Sequence, residues 1–260
     1  MHKDANSRAR RQWIQAAGAA AFTTALAAVP ARAQTARRYA VVSLVGDKLT
    51  VVYAGPVTGT LLDPNRQRVV LDAKGVMDQI ALSAVGQALE AGGRAKAILL
   101  AVAPSPLHEQ AERLVDDKSV ALPGSLVDAL EQSRATHLVM ITKHRADTSI
   151  PLLDGRLGGG KLRGLGYYVD TRTELRVVES GATGRGLLAP YVYLQLTLAD
   201  ARTGAVLNHR LCAAARAFPV AASPTFVDPW DVLSTEEKIA RLRSLLESEL
   251  AREIPLLVAT

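Results

Sequence analysis

Gly155-Arg156-Leu157-Gly158-Gly159-Gly160-Lys161 has the glycine and lysine spacing of a loop that cradles phosphate on backbone amides. That chemistry also needs a Ser or Thr after the lysine for magnesium, and a helix opening at that point. Here Leu162 follows the lysine and the next residues read as strand. The segment is expected to be a flexible hairpin or lid. Gly46-Asp47-Lys48 looks like the opening of a Gly-Asp-Ser hydrolase block with Lys48 in place of the nucleophile, and Gly-x-Ser-x-Gly does not occur. His108, His137, His144 and His209 show no His-x-x-x-His spacing, and Cys212 is the only cysteine, so no metal or other cofactor is indicated. Within Leu211-Cys212-Ala213 the thiol reads as a small apolar side chain inside a strand.

The constellation with the most chemical content is Lys143-His144-Arg145, which ends the apolar run Leu138 to Thr142, together with Lys161 and Arg163. Ligands of open α/β sheets sit at the carboxyl ends of parallel strands. Cations there, beside glycines that let a ligand approach the backbone, suit a phosphate, a carboxylate or an acidic glycan. Tyr167 and Tyr168 would add a stacking ring, one on each side of a strand.

The elements that must position these residues follow from apolar periodicity. Tyr39 to Val45 and Leu49 to Tyr53 flank Gly46-Asp47-Lys48 and predict a β-hairpin, followed by a short strand at Arg68 to Leu71. Val76, Ile80, Val85 and Leu89 predict a helix ended by Gly92-Gly93, and the unbroken run Ala97 to Val102 predicts a strand covered on both faces. Pro104 and Pro106 open a helical stretch to about Val115. A further helix over Gly124 to Arg134 feeds strand His137 to Lys143. Alternation then predicts antiparallel strands at Tyr167 to Val178, Tyr191 to Leu198 and Val206 to Cys212. Ser234 and Glu237 form a capping box ahead of Ile239, Leu242, Leu245, Leu246 and Leu250. The expected fold is α/β (α+β): a mixed sheet with helices packed against it, antiparallel hairpins in the second half and a C-terminal helix.

Residues 1–33 read as a cleavable export signal. Arg10-Arg11 precede Trp13-Ile14 in the manner of twin-arginine signals, an Ala-rich run reaches Val29, and Ala31-Arg32-Ala33 offers small side chains to a signal peptidase. The apolar run is shorter than the roughly 18 to 20 residues of a bilayer span, so no stable membrane span is expected after cleavage. Lys3, Arg8, Arg10, Arg11 and Arg32 lie in this segment with one acid, Asp4. Removing them from 31 basic and 25 acidic residues lowers the formal charge from +6 to +2. A nucleic-acid partner therefore has little support. Residues 34–260 carry no repeat or convincing linker and read as one periplasmic domain without an intrachain disulfide.

Two segments, Ala135-Thr136-His137-Leu138-Val139-Met140-Ile141 and Tyr193 to Val206 with its Asp200-Ala201-Arg202-Thr203-Gly204 turn, resemble periplasmic CsgG/LpoB/TolB-N-like α/β domains. Gln34 follows Ala33 where the lipoprotein members have their Cys. The resemblance implies a component of envelope assembly. The expected function is a non-enzymatic periplasmic binding or assembly module that meets an envelope protein or an anionic ligand. The competing expectation is a periplasmic hydrolase with an atypical site built on Asp47, His144 and Asp170.

Overall fold

The computed structural model describes residues 37–46, 48–55, 65–72, 75–93, 97–102, 106–152, 155–176, 183–219 and 228–259. The chain divides into units Met1–Thr35 and Ala36–Thr260, and all described residues belong to the second. The signal residues Arg10, Arg11, Ala31 and Ala33 lie outside the described residues, as does Asp47.

In chain order the elements are β1 (Tyr39–Ser43), β2 (Lys48–Tyr53), β3 (Arg66–Asp72), α1 (Val76–Ala91), β4 (Ile98–Leu100) and α2 (Pro106–Gln110). A 3-10 turn (Ala111–Arg113), α3 (Gly124–Ser133), β5 (His137–Lys143), β6 (Arg145–Asp147), β7 (Ile150–Leu152) and β8 (Gly155–Leu157) follow. The last group is β9 (Lys161–Arg176), β10 (Thr183–Asp200), β11 (Val206–Ala215), β12 (Phe218–Pro219), a 3-10 turn (Pro229–Val232) and α4 (Thr235–Leu257). This is a mixed sheet with helices against it and a helix at the C-terminal end, as the periodicities require.

The sheet is organised around β10. Its second half pairs antiparallel with β5 and its first half with β9, so that Lys143 stands opposite Leu194 and Gly164 opposite the next residue, Tyr193. β5 and β9 thus run in one direction as two halves of a single row. The neighbouring row repeats the arrangement, because β1 pairs parallel with β5 and β2 pairs parallel with β9. β4 and β3 extend the two halves outward, and β11 and β12 line the other side of β10. Between β5 and β9 the chain leaves the row as an arm in which β6 pairs with the start of β9 and β7 with β8.

Two expectations are corrected here. β1 and β2 form no hairpin: both flanks of β1 are occupied by β4 and β5, and the turn at Gly46 makes a step within a row instead of a reversal. Glycine at φ 79° announces a bend, but the bend's direction is set by pairing elsewhere. β4 is not an interior strand. It pairs with β1 on one side at the end of the strand order, and Leu99 is 46% exposed. An aliphatic run looks alike at an edge and in the middle of a sheet.

Alternation along the strands divides the core. Tyr39, Val41, Val139, Ile141, Tyr167 and Leu196 face α1 and α4, while Ala40, Val42, Leu138 and Met140 face Leu126 and Leu130 of α3 and Ala111. Farther along that second face, Tyr168, Tyr191 and Tyr193 are covered by the arm through Ile150 and Leu162, both fully buried. The glycine-rich segment expected to be a flexible hairpin or lid is a hairpin anchored by these side chains. Ser149 N–H donates to the Tyr193 hydroxyl at 3.1 Å, and the Asn65 amide donates to Gly159 O at 2.5 Å. α4 is begun by the capping box, Ser234 N–H to Glu237 at 2.8 Å and Glu237 N–H to Ser234 Oγ at 3.2 Å. Near its other end Arg210 of β11 meets Glu253 at 2.5 Å, and Asn208 donates to Leu257 O at 2.8 Å.

Gly166 of β9 stands opposite Thr50 of β2 with no room for a side chain. A Cβ there would lie 1.9 Å from Thr50 O and 2.7 Å from the Tyr191 hydroxyl. Neither a paired backbone nor a ring wedged in the core can withdraw. Gly166→Ala is expected to cost about 3 kcal/mol, as other overpacked cores do. Urea unfolding should report this as a lower midpoint with an unchanged slope.

Candidate functional site

The step between β1 and β2 removes two amides, Val45 and Gly46, from regular ladder positions. Asp78, in the first turn of α1, accepts both, at 2.9 and 3.1 Å, and also takes the Ser43 hydroxyl at 2.5 Å. Its second oxygen lies 3.1 Å from His108 Nε2 on α2. A carboxylate in the first turn of a helix is favoured by the exposed amides and the helix dipole there. Both side chains of the Asp78–His108 pair are only 10% exposed. Because α1 lies on one face of the sheet and α2 on the other, this pair joins the two layers through the step.

Room for the crossing is made by glycine. A side chain at Gly46 would meet His108 Cδ2 at 3.5 Å and Lys143 Nζ at 3.7 Å. One at Gly164 (φ 68°) would strike the Lys143 stem at 2.9 Å. Two exposed ion pairs flank the site: Lys48 to Glu109 at 3.4 Å and Arg163 to Glu112 at 2.6 Å. The segment carrying His108, Glu109 and Glu112 is thus tied at three points to the junction of the two strand rows.

The residues expected to form a basic rim are brought together in part. Lys143 ends β5 at the step. His144 is held by backbone bonds, its N–H to Tyr193 O at 2.9 Å and its carbonyl from Gly164 N–H at 3.2 Å. In the β6–β9 ribbon Arg145 stands opposite Arg163, and Asp147 opposite Lys161. Residues two apart on a strand share a face, so Arg145, Asp147, Lys161 and Arg163 lie together. The rim is not a bare cationic surface: Lys161 pairs with Asp147 at 3.0 Å, and Arg163 with Glu112. Both cations nonetheless keep close to half of their side-chain surface in solvent.

Other candidates serve the fold. Tyr167 and Tyr168 point to opposite faces, as alternation demands, but both are buried and offer no stacking surface. Asp170 accepts from Arg172 N–H at 2.7 Å, Thr173 N–H at 3.1 Å and the Thr173 hydroxyl at 2.7 Å. It stands six residues along β9 from Gly164, a distance of about 20 Å from the His144 backbone contact. His144 and Asp170 therefore do not converge. Burial, with Glu253 and Glu249 nearby, pushes the Cys212 thiol up to about 12, so it stays protonated and inert. His137 is held below the usual imidazole range by burial and by Arg37. Among the described residues no three His, Cys, Asp or Glu side chains converge as metal ligands would.

Asp78, Ser43 and His108 belong to no motif of the sequence. A signal existed: Asp78 precedes the buried Ala81, Leu82 and Val85 at spacings of three, four and seven, which places an acid on the core face of α1. In Ser43–Asp78–His108 the carboxylate sits between the hydroxyl and the imidazole. The order is therefore not the hydroxyl–imidazole–carboxylate relay of a serine nucleophile, and the carboxylate is instead shared among the groups that join β1, the turn after it and α2.

Removing Asp78 takes the acceptor from Ser43, Val45 and Gly46 and the partner from His108, whereas removing His108 leaves the carboxylate with three of its four partners. Asp78→Ala is expected to lose about 3 kcal/mol and His108→Ala about 1 kcal/mol in chemical unfolding. Equal losses would show that the two residues act only as a pair.

No family model matches the chain, and no curated protein does. Among solved structures it is similar to the PelC dodecamer from Paraburkholderia phytofirmans at 12% identity and a TM-score of 0.32, covering 85% of this chain and 86% of that one. It is also similar to a Xanthomonas campestris protein of family DUF330 at 13% identity and a TM-score of 0.33, covering 85% and 81%. Likeness at this level sets neither a family nor a role for the chain.

Proposed function

We propose that the chain is a non-enzymatic binding or assembly module of the cell envelope, exported by the segment containing Arg10, Arg11, Ala31 and Ala33. Its recognition surface is the exposed face of the β6–β9 ribbon, which meets an envelope protein or an anionic ligand. The observation that carries this reading is the pairing of β6 with β9, which collects Arg145, Lys161 and Arg163 on one face beside Lys143 at the end of β5. Half-exposed cations already oriented by Asp147 and Glu112 can exchange those partners for an incoming anion at small cost, since exposed ion pairs contribute only about 0 to 1 kcal/mol each. Such a surface selects through charge complementarity more than through buried area.

Two further points support it. Among the described residues, Asp78 and Asp170 are occupied by hydrogen bonds of the fold and Cys212 is buried in the core. The segments Ala135 to Ile141 and Tyr193 to Val206, which resemble envelope-assembly domains, cover most of β5 and the end of β10 with the turn into β11, and β10 pairs with β9 of the ribbon. No helix among the described residues is long and apolar enough to cross a membrane.

The test is capture from envelope extract on immobilised residues 34–260, comparing wild type with Arg145→Glu/Lys161→Glu/Arg163→Glu. The variant should lose the captured species while its circular dichroism is unchanged. Capture at wild-type level by the folded variant would overturn the proposal.

A further inference from the structure

A second cationic site lies away from the ribbon. Between α4 and the strand ends a cavity of about 210 Å³ is lined by Pro190, Arg216, Phe218, Arg241, Ser244 and Leu245. Arg216 follows β11, and its N–H donates to Pro190 O at 3.1 Å, which fixes the backbone from which its exposed side chain departs. The Arg241 guanidinium stacks 4.0 Å from the centre of the Phe218 ring, which orients it without using its N–H donors. Ser244 is three residues after Arg241 and on the same side of the helix.

Two arginines on these elements are neutralised, Arg210 by Glu253 and Arg252 by Glu249 and Glu253. Arg216 and Arg241 are not: among the described residues neither has a carboxylate within 4.0 Å. The two acids that sense them are committed elsewhere. Glu237 is near enough to feel Arg241 but closes the capping box, and Glu249 feels Arg216 but binds Arg252. Arg216, Arg241 and Ser244 thus line one small cavity, with no acid among its described lining residues.

We infer that this cavity binds an oxyanion, the phosphate or carboxylate head of a small ligand whose apolar body rests on Phe218, Pro190 and Leu245. Guanidiniums pair with such heads through two parallel N–H donors, and the Ser244 hydroxyl supplies a further one. The cavity is smaller than the pockets that enclose drug-sized molecules, which limits the occupant to a head and a short body.

Calorimetric titration of the full chain at constant ionic strength, with phenyl phosphate and with benzoate, tests this and tells the two heads apart. At least one probe should bind wild type. Arg216→Gln and Arg241→Gln should each weaken it roughly tenfold, the loss expected for one charge-assisted contact, and the double variant should abolish it. The ribbon variant Lys161→Glu/Arg163→Glu should bind as wild type, which separates this site from the one proposed above. If Arg241→Gln unfolds through loss of its contact with Phe218, the exposed Arg216→Gln carries the test alone. Failure of both probes to bind wild type, or undiminished binding to the folded Arg216→Gln, would overturn the inference.

Discussion

The carboxylate of Asp78 is the interaction on which the rest of the arrangement depends. A strand row that steps sideways loses ladder partners for its amides, and buried amides without partners are costly. Asp78 supplies acceptors to Val45 and Gly46, fixes Ser43 at the end of β1, and holds His108 from the opposite layer. With the step satisfied, β1 can stay with β5 while β2 stays with β9. The same junction is where the arm leaves the sheet, between Lys143 and Gly164.

Magnitudes rank the contacts around this junction. The Asp78 hub is one-tenth exposed and hydrogen-bonded on both oxygens, the condition under which a buried charge contributes to order instead of opposing it. Lys48–Glu109, Arg163–Glu112 and Lys161–Asp147 are solvated and individually weak. The fold therefore does not rest on the ribbon's ion pairs. The arm is held instead by burial of Ile150 and Leu162 over three tyrosines, two of which, Tyr191 and Tyr193, meet edge to face at 5.8 Å.

What could be read in the sequence follows the range of the interaction. The start of α4 was legible because Ser234 and Glu237 are three residues apart, and β10 and β11 because alternation and the Asp200 turn are local. The hairpin expected at Gly46 failed because a turn signal carries no information on which strand the next segment will join. Lys161 and Arg163 were recognisable as a cationic pair, but their partners Asp147 and Glu112 are far off in sequence, 14 and 51 residues away. Asp78 was hidden for the same reason: its contacts reach back 35 residues to Ser43 and forward 30 to His108.

The most direct test of the hub is hydrogen exchange at the amides of Val45 and Gly46. Held by a buried carboxylate, they should exchange as slowly as the amides of the central strand β5, although they sit at an interruption of the sheet. Exchange at the rate of an exposed loop would contradict the account.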